Sequence, residues 1–435
     1  MSFGSLGLCD ELLKTVEEQG YLTPSPIQIK AIPAVLSQRD IMAVANTGTG
    51  KTASFTLPML QLLSGGPIQG GPIQGGPIQG GPIQGGHSVQ AKQVRALIIT
   101  PTRELAAQVA SNVQNYSRHL KIRSTAVFGG VRIEPQISEL KSGLDVLIAT
   151  PGRLIDLYNQ QAINFDVLEI LVLDEADRML DLGFINEIRH IQTLLPNKLQ
   201  TLMFSATFSK EITSLAKGML NHPILIDVAA ANSTVDKVKQ KIYLVEKERK
   251  SEMLIHLIKK NNWHQVLVFS RTKHGADSLV LQLEKANINA ASIHANRTQH
   301  ARTLALDDFR KGKVTVLVAT DIASRGIDVN HLPCVVNFDL PYVPQDYVHR
   351  IGRTGRAGHS GLAVSLFSED ESKQLQSIER LIDYKFKPEI IPGFAPSKKA
   401  PVVLSDDDDD YGNFEADTKS QTRGQLQGRG RRGRK

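Results

Sequence analysis

The stretch ANTGTGKT (residues 45–52) follows the apolar run DIMAVA (40–45) and leads into ASFTLPMLQLL (53–63). An apolar strand, a Gly-rich turn and a helix in that order form the local frame of a phosphate-binding loop. Backbone N–H groups of Thr47, Gly48, Thr49 and Gly50 can surround phosphate oxygens at the helix N-terminus. Lys51 can reach the terminal phosphates, and Thr52 can ligate Mg2+. The first position is Ala45 where the strict pattern has Gly, so the motif needs support from elsewhere in the chain.

That support comes from VLDEAD (172–177), where adjacent carboxylates close an apolar run. Asp174 is placed to hold Mg2+, mostly through water, and Glu175 to orient and deprotonate an attacking water. Alone this would be an acidic turn. Beside a phosphate loop in one α/β domain it supplies the second half of a nucleotide-hydrolysing site.

Outward from these motifs, RALIIT (95–100), DVLIAT (145–150), EILVLD (169–174) and QTLMFS (200–205) alternate with longer helix-like segments. The pattern restarts with QVLVFS (265–270), AASIH (290–294), TVLVAT (315–320), CVVNFD (334–339) and LAVSLF (362–367). Near-continuous apolar runs indicate parallel strands covered on both faces, and ligands of such sheets collect at the strands' carboxyl ends. The fold class expected is α/β, with two tandem parallel-sheet domains: 1–228 and 237–385. The small, polar stretch VAAANSTVDKVKQ (228–240) contains the linker, placed at 229–236. From 386 to 435 the chain is Pro-, Gly- and charge-rich and is expected to be a disordered tail.

The net charge of +7 favours a polyanionic partner. Two cysteines, Cys9 and Cys334, give no disulfide framework or zinc site and fit a reducing cytoplasm. MSFGSLGLCDELL has neither the basic segment nor the apolar run of an export signal, and no stretch reads as a membrane span.

Taken in order over residues 3–367, the motifs resemble those of the DEAD-box RNA helicases, and more narrowly the bacterial RhlE-type members. The resemblance implies that Gln28 of GYLTPSPIQ (20–28) hydrogen-bonds the adenine edge, with Phe3 or Tyr21 packed nearby. It implies RNA-backbone contacts from Arg103 of PTREL, the pair Gly129 and Gly130, and Thr150 and Arg153 of TPGR. Ser205 and Thr207 of SAT would link hydrolysis to RNA binding. In the second half VFSRT (268–272), QHAR (299–302) and ATDIASRGID (319–328) would bring Arg271, Gln299, Arg302 and Thr320 to RNA and Asp328 to the ribose. HRIGRTGR (349–356) would place Arg353 and Arg356 on the γ-phosphate in the transition state and use His349 for coupling to the first domain. Arginines spaced by glycines make a poor strand and a poor helix interior, but suit a loop presenting guanidinium groups to phosphate.

The implied activity is RNA-stimulated ATP hydrolysis at the interdomain cleft, with ATP and Mg2+, coupled to local unwinding of structured RNA or remodelling of ribonucleoprotein. Ribosome assembly and RNA decay are both open as settings. Two other readings stay open here: an ATP-gated RNA clamp that scaffolds other proteins, and a DNA translocase with the same engine.

Two segments lie outside the motifs. GGPIQ is repeated four times between Gly65 and Gly86. A period of five fits neither helix nor strand, and the expectation is a tolerated surface loop. The basic end RGQLQGRGRRGRK (423–435) is expected to tether RNA without sequence preference, with Asp406 to Asp410 competing for it.

Overall fold

The computed structural model describes residues 1–45, 49–65, 93–228, 238–324, 332–355 and 361–396. Residues 1–395 form one compact unit, which contains two parallel sheets. The first is built from β1 (Ile41–Val44), β2 (Val94–Ile99), β3 (Ser124–Val127), β4 (Leu144–Ala149), β5 (Ile170–Leu173), β6 (Gln200–Ser205) and β7 (Ile224–Asp227), in the order β3-β4-β2-β5-β6-β1-β7. The second is built from β8 (Val238–Leu244), β9 (Val266–Phe269), β10 (Ala290–Ile293), β11 (Val316–Ala319), β12 (Cys334–Asn337) and β13 (Gly361–Phe367), in the order β10-β11-β9-β12-β13-β8.

Alternation within the apolar runs explains why both faces are covered. Ile41 and Ala43 of β1 and Ala96 and Ile98 of β2 enter one core; Met42, Leu97 and Ile99 enter another on the opposite face. The second sheet repeats the device: Val266 and Val268 pack on one side, Leu267 and Phe269 on the other. Because every strand pairing is parallel, the motifs that follow β1, β2, β4, β5 and β6 emerge on one edge of the first sheet. β1, which feeds the phosphate loop, lies beside β6, and β6 lies beside β5, which feeds DEAD. This strand order places three separated sequence motifs next to one another.

The nine strands expected from apolar runs are present, with DIMAVA as a tenth. Three more, β3, β7 and β8, were not expected. β8 begins at Val238, so Val238, Lys239 and Gln240 belong to a strand and not to the connecting stretch. The linker placed at 229–236 lies outside the described residues, as do most of the GGPIQ repeat and everything after residue 396.

Residues 386–394, expected to lie in a disordered tail, are packed against the second half. Glu389 donates its N–H to the Ile242 carbonyl (2.9 Å) and accepts from Leu244 N–H (3.0 Å), extending the β8 edge. Ile391 and Phe394 are buried in the second sheet's core, and the Arg249 guanidinium lies 4.7 Å from the Phe394 ring centre. A Pro- and Gly-rich composition hid two apolar anchors. Both cysteines are free and buried. Among the described residues, no helix is long and apolar enough to cross a membrane.

Candidate nucleotide and nucleic-acid site

The helix Lys51–Ser64 starts at Gly50, whose φ of 92° lies in the left-handed region that glycine adopts without strain. A Cβ there would also meet Gln28 Nε2 at 2.5 Å. The Gln28 amide is thereby held against the phosphate loop: its Nε2 donates to the Gly50 carbonyl (3.3 Å) and its Oε1 accepts from Ser25 N–H (2.8 Å). Phe3 is buried in the first core, while Tyr21 is partly exposed and its hydroxyl bonds that of Tyr116 (3.0 Å). Lys51 is buried, with the half-buried Thr52 beside it; Thr49 is the first loop residue described after the turn, and Thr47 and Gly48 lie outside the described residues.

Asp174 sits at the end of β5, its N–H donating to the Ile99 carbonyl (3.0 Å). Its carboxylate is buried, and Oδ1 has no hydrogen-bond partner. Burial pushes its pKa up to about 7, against the pull of the Lys51 ammonium; the neighbouring Glu175 carboxylate adds to the rise. Glu175 itself occupies the left-handed region (φ 55°, ψ 52°), a conformation that costs a non-glycine residue free energy and is held by the surrounding packing. Its carbonyl accepts from Arg178 N–H (3.0 Å) and Met179 N–H (3.2 Å), which starts the next helical turn.

Sequence reasoning missed the role of Asp177. Its Oδ2 accepts from Ala206 N–H (3.0 Å), at the centre of SAT, and its Oδ1 accepts from Arg178 N–H (3.0 Å). Ser205 is fully buried; its hydroxyl accepts from Thr207 N–H (3.2 Å) and its carbonyl from Ala45 N–H (3.0 Å). The phosphate loop's lead residue, SAT and DEAD are therefore one hydrogen-bonded chain.

Along the same edge, the Arg103 guanidinium packs directly against Gly130, whose φ of 75° lies in the left-handed region that favours glycine; a Cβ there would displace the end of the Arg103 side chain. Gly129 borders that turn with open space beside it. Thr150 stands at the N-cap position of the helix Pro151–Asn159, and Arg153, on its first turn, donates to the Val131 carbonyl (2.9 Å); its Nε lies 3.8 Å from Asp156, and Nε and Nη1 are buried without hydrogen-bond partners.

Among the described residues, the second half bonds to the first at two places. Glu104 of PTREL accepts from Gln299 Nε2 (3.1 Å) and pairs with Arg302 (2.9 Å). Arg178, directly after DEAD, pairs with Asp346 (2.8 Å), just ahead of HRIGRTGR. Arg353 is buried and shares a small cavity with Arg178, Asp321, Asp346, His349 and Arg350. Arg350 clamps Asp321 with two bonds (2.6 and 2.7 Å) and donates to Asn337 Oδ1 (3.1 Å), fixing this segment to ATDIASRGID. Thr320 donates its N–H to the Ile293 carbonyl (3.2 Å). Arg271 is turned to the protein: Glu371 holds it at 2.8 Å, with the Tyr342 ring centre 4.6 Å away, and Glu371 is itself bound by the buried Lys250 (2.6 Å). Asp328 and Arg356 lie outside the described residues.

Two parallel-sheet α/β halves, one carrying a phosphate loop and an acidic turn and the other an arginine-rich helix end, define a RecA-like nucleotide-driven machine. Comparison with known proteins narrows this class. A DEAD/DEAH box helicase family model matches residues 25–215, and the helicase conserved C-terminal domain matches residues 249–358. The chain is 39% identical to the DEAD-box ATP-dependent RNA helicase RhpA of Helicobacter pylori over 88% of its length and 73% of the relative's. It is 38% identical to the ATP-dependent RNA helicase RhlB of Pseudomonas syringae over 90% of its own length and 95% of the relative's. Its structure is similar to that of S. cerevisiae Dbp5 bound to RNA and ADP BeF3, with a TM-score of 0.76, 28% identity, and coverage of 90% of this chain and 95% of that one. The chain belongs to the DEAD-box family of ATP-dependent RNA helicases.

Proposed function

We propose that ATP hydrolysis takes place in a site shared by the two halves and drives local separation of RNA strands. The observation that carries this reading is the buried Asp174 Oδ1 without a partner, beside a buried Lys51. An uncompensated carboxylate oxygen in a dry site is costly unless a cation comes to it. The donor set fits Mg2+ held by Thr52 and Asp174 largely through water. Among the described residues no group of three or more His, Cys, Asp or Glu side chains could hold a metal unaided, so the phosphates would supply the remaining oxygens. The ion, when bound, would neutralise charge on the phosphates.

The residues then take these roles. Backbone N–H groups of Thr47, Gly48, Thr49 and Gly50 cradle the phosphates with Lys51, Gln28 reads the adenine edge, and Asp328 holds the ribose. Tyr21 is the aromatic left accessible to the base, since Phe3 is taken into the core. Glu175 takes the proton of the attacking water, and Arg353 and Arg356 meet charge developing on the γ-phosphate. RNA lies across Arg103, Gly129, Gly130, Thr150, Arg153, Gln299, Arg302 and Thr320, with Arg271 reaching it only on release from Glu371. Contacts of this kind go to backbone phosphates and 2′-hydroxyls and carry no base code. Ser205, Thr207 and His349 couple the two events, through the hydrogen-bonded chain that Asp177 completes.

We further propose domain limits of 1–228 and 237–395 around a 229–236 linker, an RhlE-like placement on the run of motifs over residues 3–367, and work on structured RNA or ribonucleoprotein in the cytoplasm.

Local strand separation has a measurable signature. Bending RNA within the site opens only a few base pairs, and the rest must melt unaided, each further step adding its own stacking free energy to the barrier. With ATP present, the rate of separating an RNA duplex should therefore fall steeply as the duplex lengthens at constant flanking sequence. A rate independent of duplex length would show processive tracking and overturn the reading.

A further inference from the structure

We infer that Asn337 is a positioning residue for hydrolysis: a buried amide that sets, through Arg350, where the arginine-bearing segment stands in the shared site. The inference rests on that shared-site reading and specifies what holds one side of it. Asn337 ends β12, whose other residues are Cys334, Val335 and Val336, and it is fully buried. Asparagine is a poor strand former, and its amide is costly to bury without partners. An apolar residue would serve the sheet better. The amide must therefore be explained by what it holds.

Both of its ends are committed. Nδ2 donates to Ser365 Oγ (3.1 Å) on β13, the residue opposite it in the strand register, and Oδ1 accepts from Arg350 Nη1 (3.1 Å). An arginine side chain only donates, so the amide oxygen must face it, and Ser365 fixes the amide in that orientation. The Arg350 side chain is 2% exposed. Its Nη1 also donates to the Asp339 carbonyl (2.6 Å), while Nε and Nη2 are taken by Asp321 (2.6 and 2.7 Å). The two N–H groups of Nη1 thus have one acceptor each. Removing the Asn337 oxygen strands one N–H of a buried charge, and the acceptors that remain already serve other N–H groups.

The place of this fork gives it leverage. Asp321 follows β11, Phe269 ends β9 with its ring centre 5.0 Å from the guanidinium, and Asn337 ends β12; the sheet order is β11-β9-β12. Arg350 therefore lies across the carboxyl ends of three adjacent strands. It belongs to the helix Pro344–Ile351, which also carries His349 and leads into Arg353, and these three residues share one small cavity. One turn earlier the buried Tyr347 donates to Gln240 Oε1 (2.7 Å) on β8, so the helix is also held toward the sheet edge. A guanidinium that shifts to find another acceptor takes the last helical turn with it. Groups acting on the transition state are sensitive to such shifts, since a misplacement of about 1 Å can cost roughly a hundredfold in rate.

The test compares full-chain Asn337→Leu, Asn337→Asp and Ser365→Ala, with kcat and the ATP KM at saturating RNA, RNA affinity without nucleotide, and melting temperature. Rates are taken well below the melting temperature of each variant. Asn337→Leu should lower kcat about tenfold or more and leave the ATP KM and RNA affinity within about twofold. Asn337→Asp keeps an oxygen facing Arg350 and can accept from the Ser365 hydroxyl, so its kcat should stay within about threefold of the unmodified chain. Ser365→Ala frees the amide to turn and should fall between the two. Unchanged kcat in Asn337→Leu, an equally deep loss in Asn337→Asp, or losses of ATP and RNA affinity that match the loss of kcat would each overturn the positioning role. If Asn337→Leu does not fold, Ser365→Ala decides, and normal turnover there overturns it. Arg356→Ala is measured alongside: normal turnover in that variant removes the shared-site reading, whereas a defective Arg356→Ala beside a normal Asn337→Leu removes only the role of Asn337.

Discussion

Glu175→Gln is expected to lower steady-state ATP hydrolysis by about 10² to 10⁴, the usual contribution of a positioned general base, while ATP and RNA still bind together. The substitution keeps size and hydrogen-bonding capacity at a backbone held in the left-handed region, so the turn that follows should survive. What disappears is only the group able to take a proton from water. The neighbouring Asp174 does not take over, because it is committed to holding the metal beside Lys51. Lys51→Ala removes hydrolysis differently, by weakening capture of the phosphates, so its ATP affinity should fall where that of Glu175→Gln does not. Near-normal turnover in the Glu175→Gln protein would refute the assignment of the acidic turn.

The second large effect concerns the other half. Arg356→Ala is expected to reduce turnover by roughly 10³ to 10⁵, with a much smaller change in ATP affinity, because a guanidinium facing the γ-phosphate acts on charge that appears in the transition state. Arg353→Ala should act in the same direction and carry an added structural penalty, since the residue is buried and its loss would empty packed space. Hydrolysis that continued at near-normal rate in the Arg356→Ala protein would mean that the first half works alone. Pre-steady-state measurement of bound ATP cleavage separates a chemical defect from a binding one.

The central strands of both sheets were legible in the sequence for a physical reason: covered on both faces, they are apolar at nearly every position, throughout Val266–Phe269 and in Val94–Ile99 but for the buried Arg95. The strands that escaped are edges. β3 alternates half-buried and buried residues, β7 exposes Leu225, and β8 is a run of VKQKIYL with charges on its open side. Polar residues protect such edges and erase the apolar signal. The same division runs through the site. Motifs contiguous in sequence, such as ANTGTGKT and VLDEAD, could be read because their chemistry depends on local spacing. Pairings such as Glu104 with Arg302, Arg178 with Asp346, and Lys250 with Glu371 join residues more than a hundred positions apart, and no local pattern announces them. Composition misled where Ile391 and Phe394 sit in a Pro- and Gly-rich stretch yet anchor it to the second core.

The account as a whole stands on RNA closing a shared ATP site. Its most direct test is steady-state ATP hydrolysis by the full chain, titrated in parallel with single-stranded RNA and with DNA of the same sequence and length at fixed salt. Hydrolysis should be slow alone, rise about tenfold or more with RNA, and stay near its basal level with DNA; equal stimulation by both, or a high rate independent of either, would contradict it.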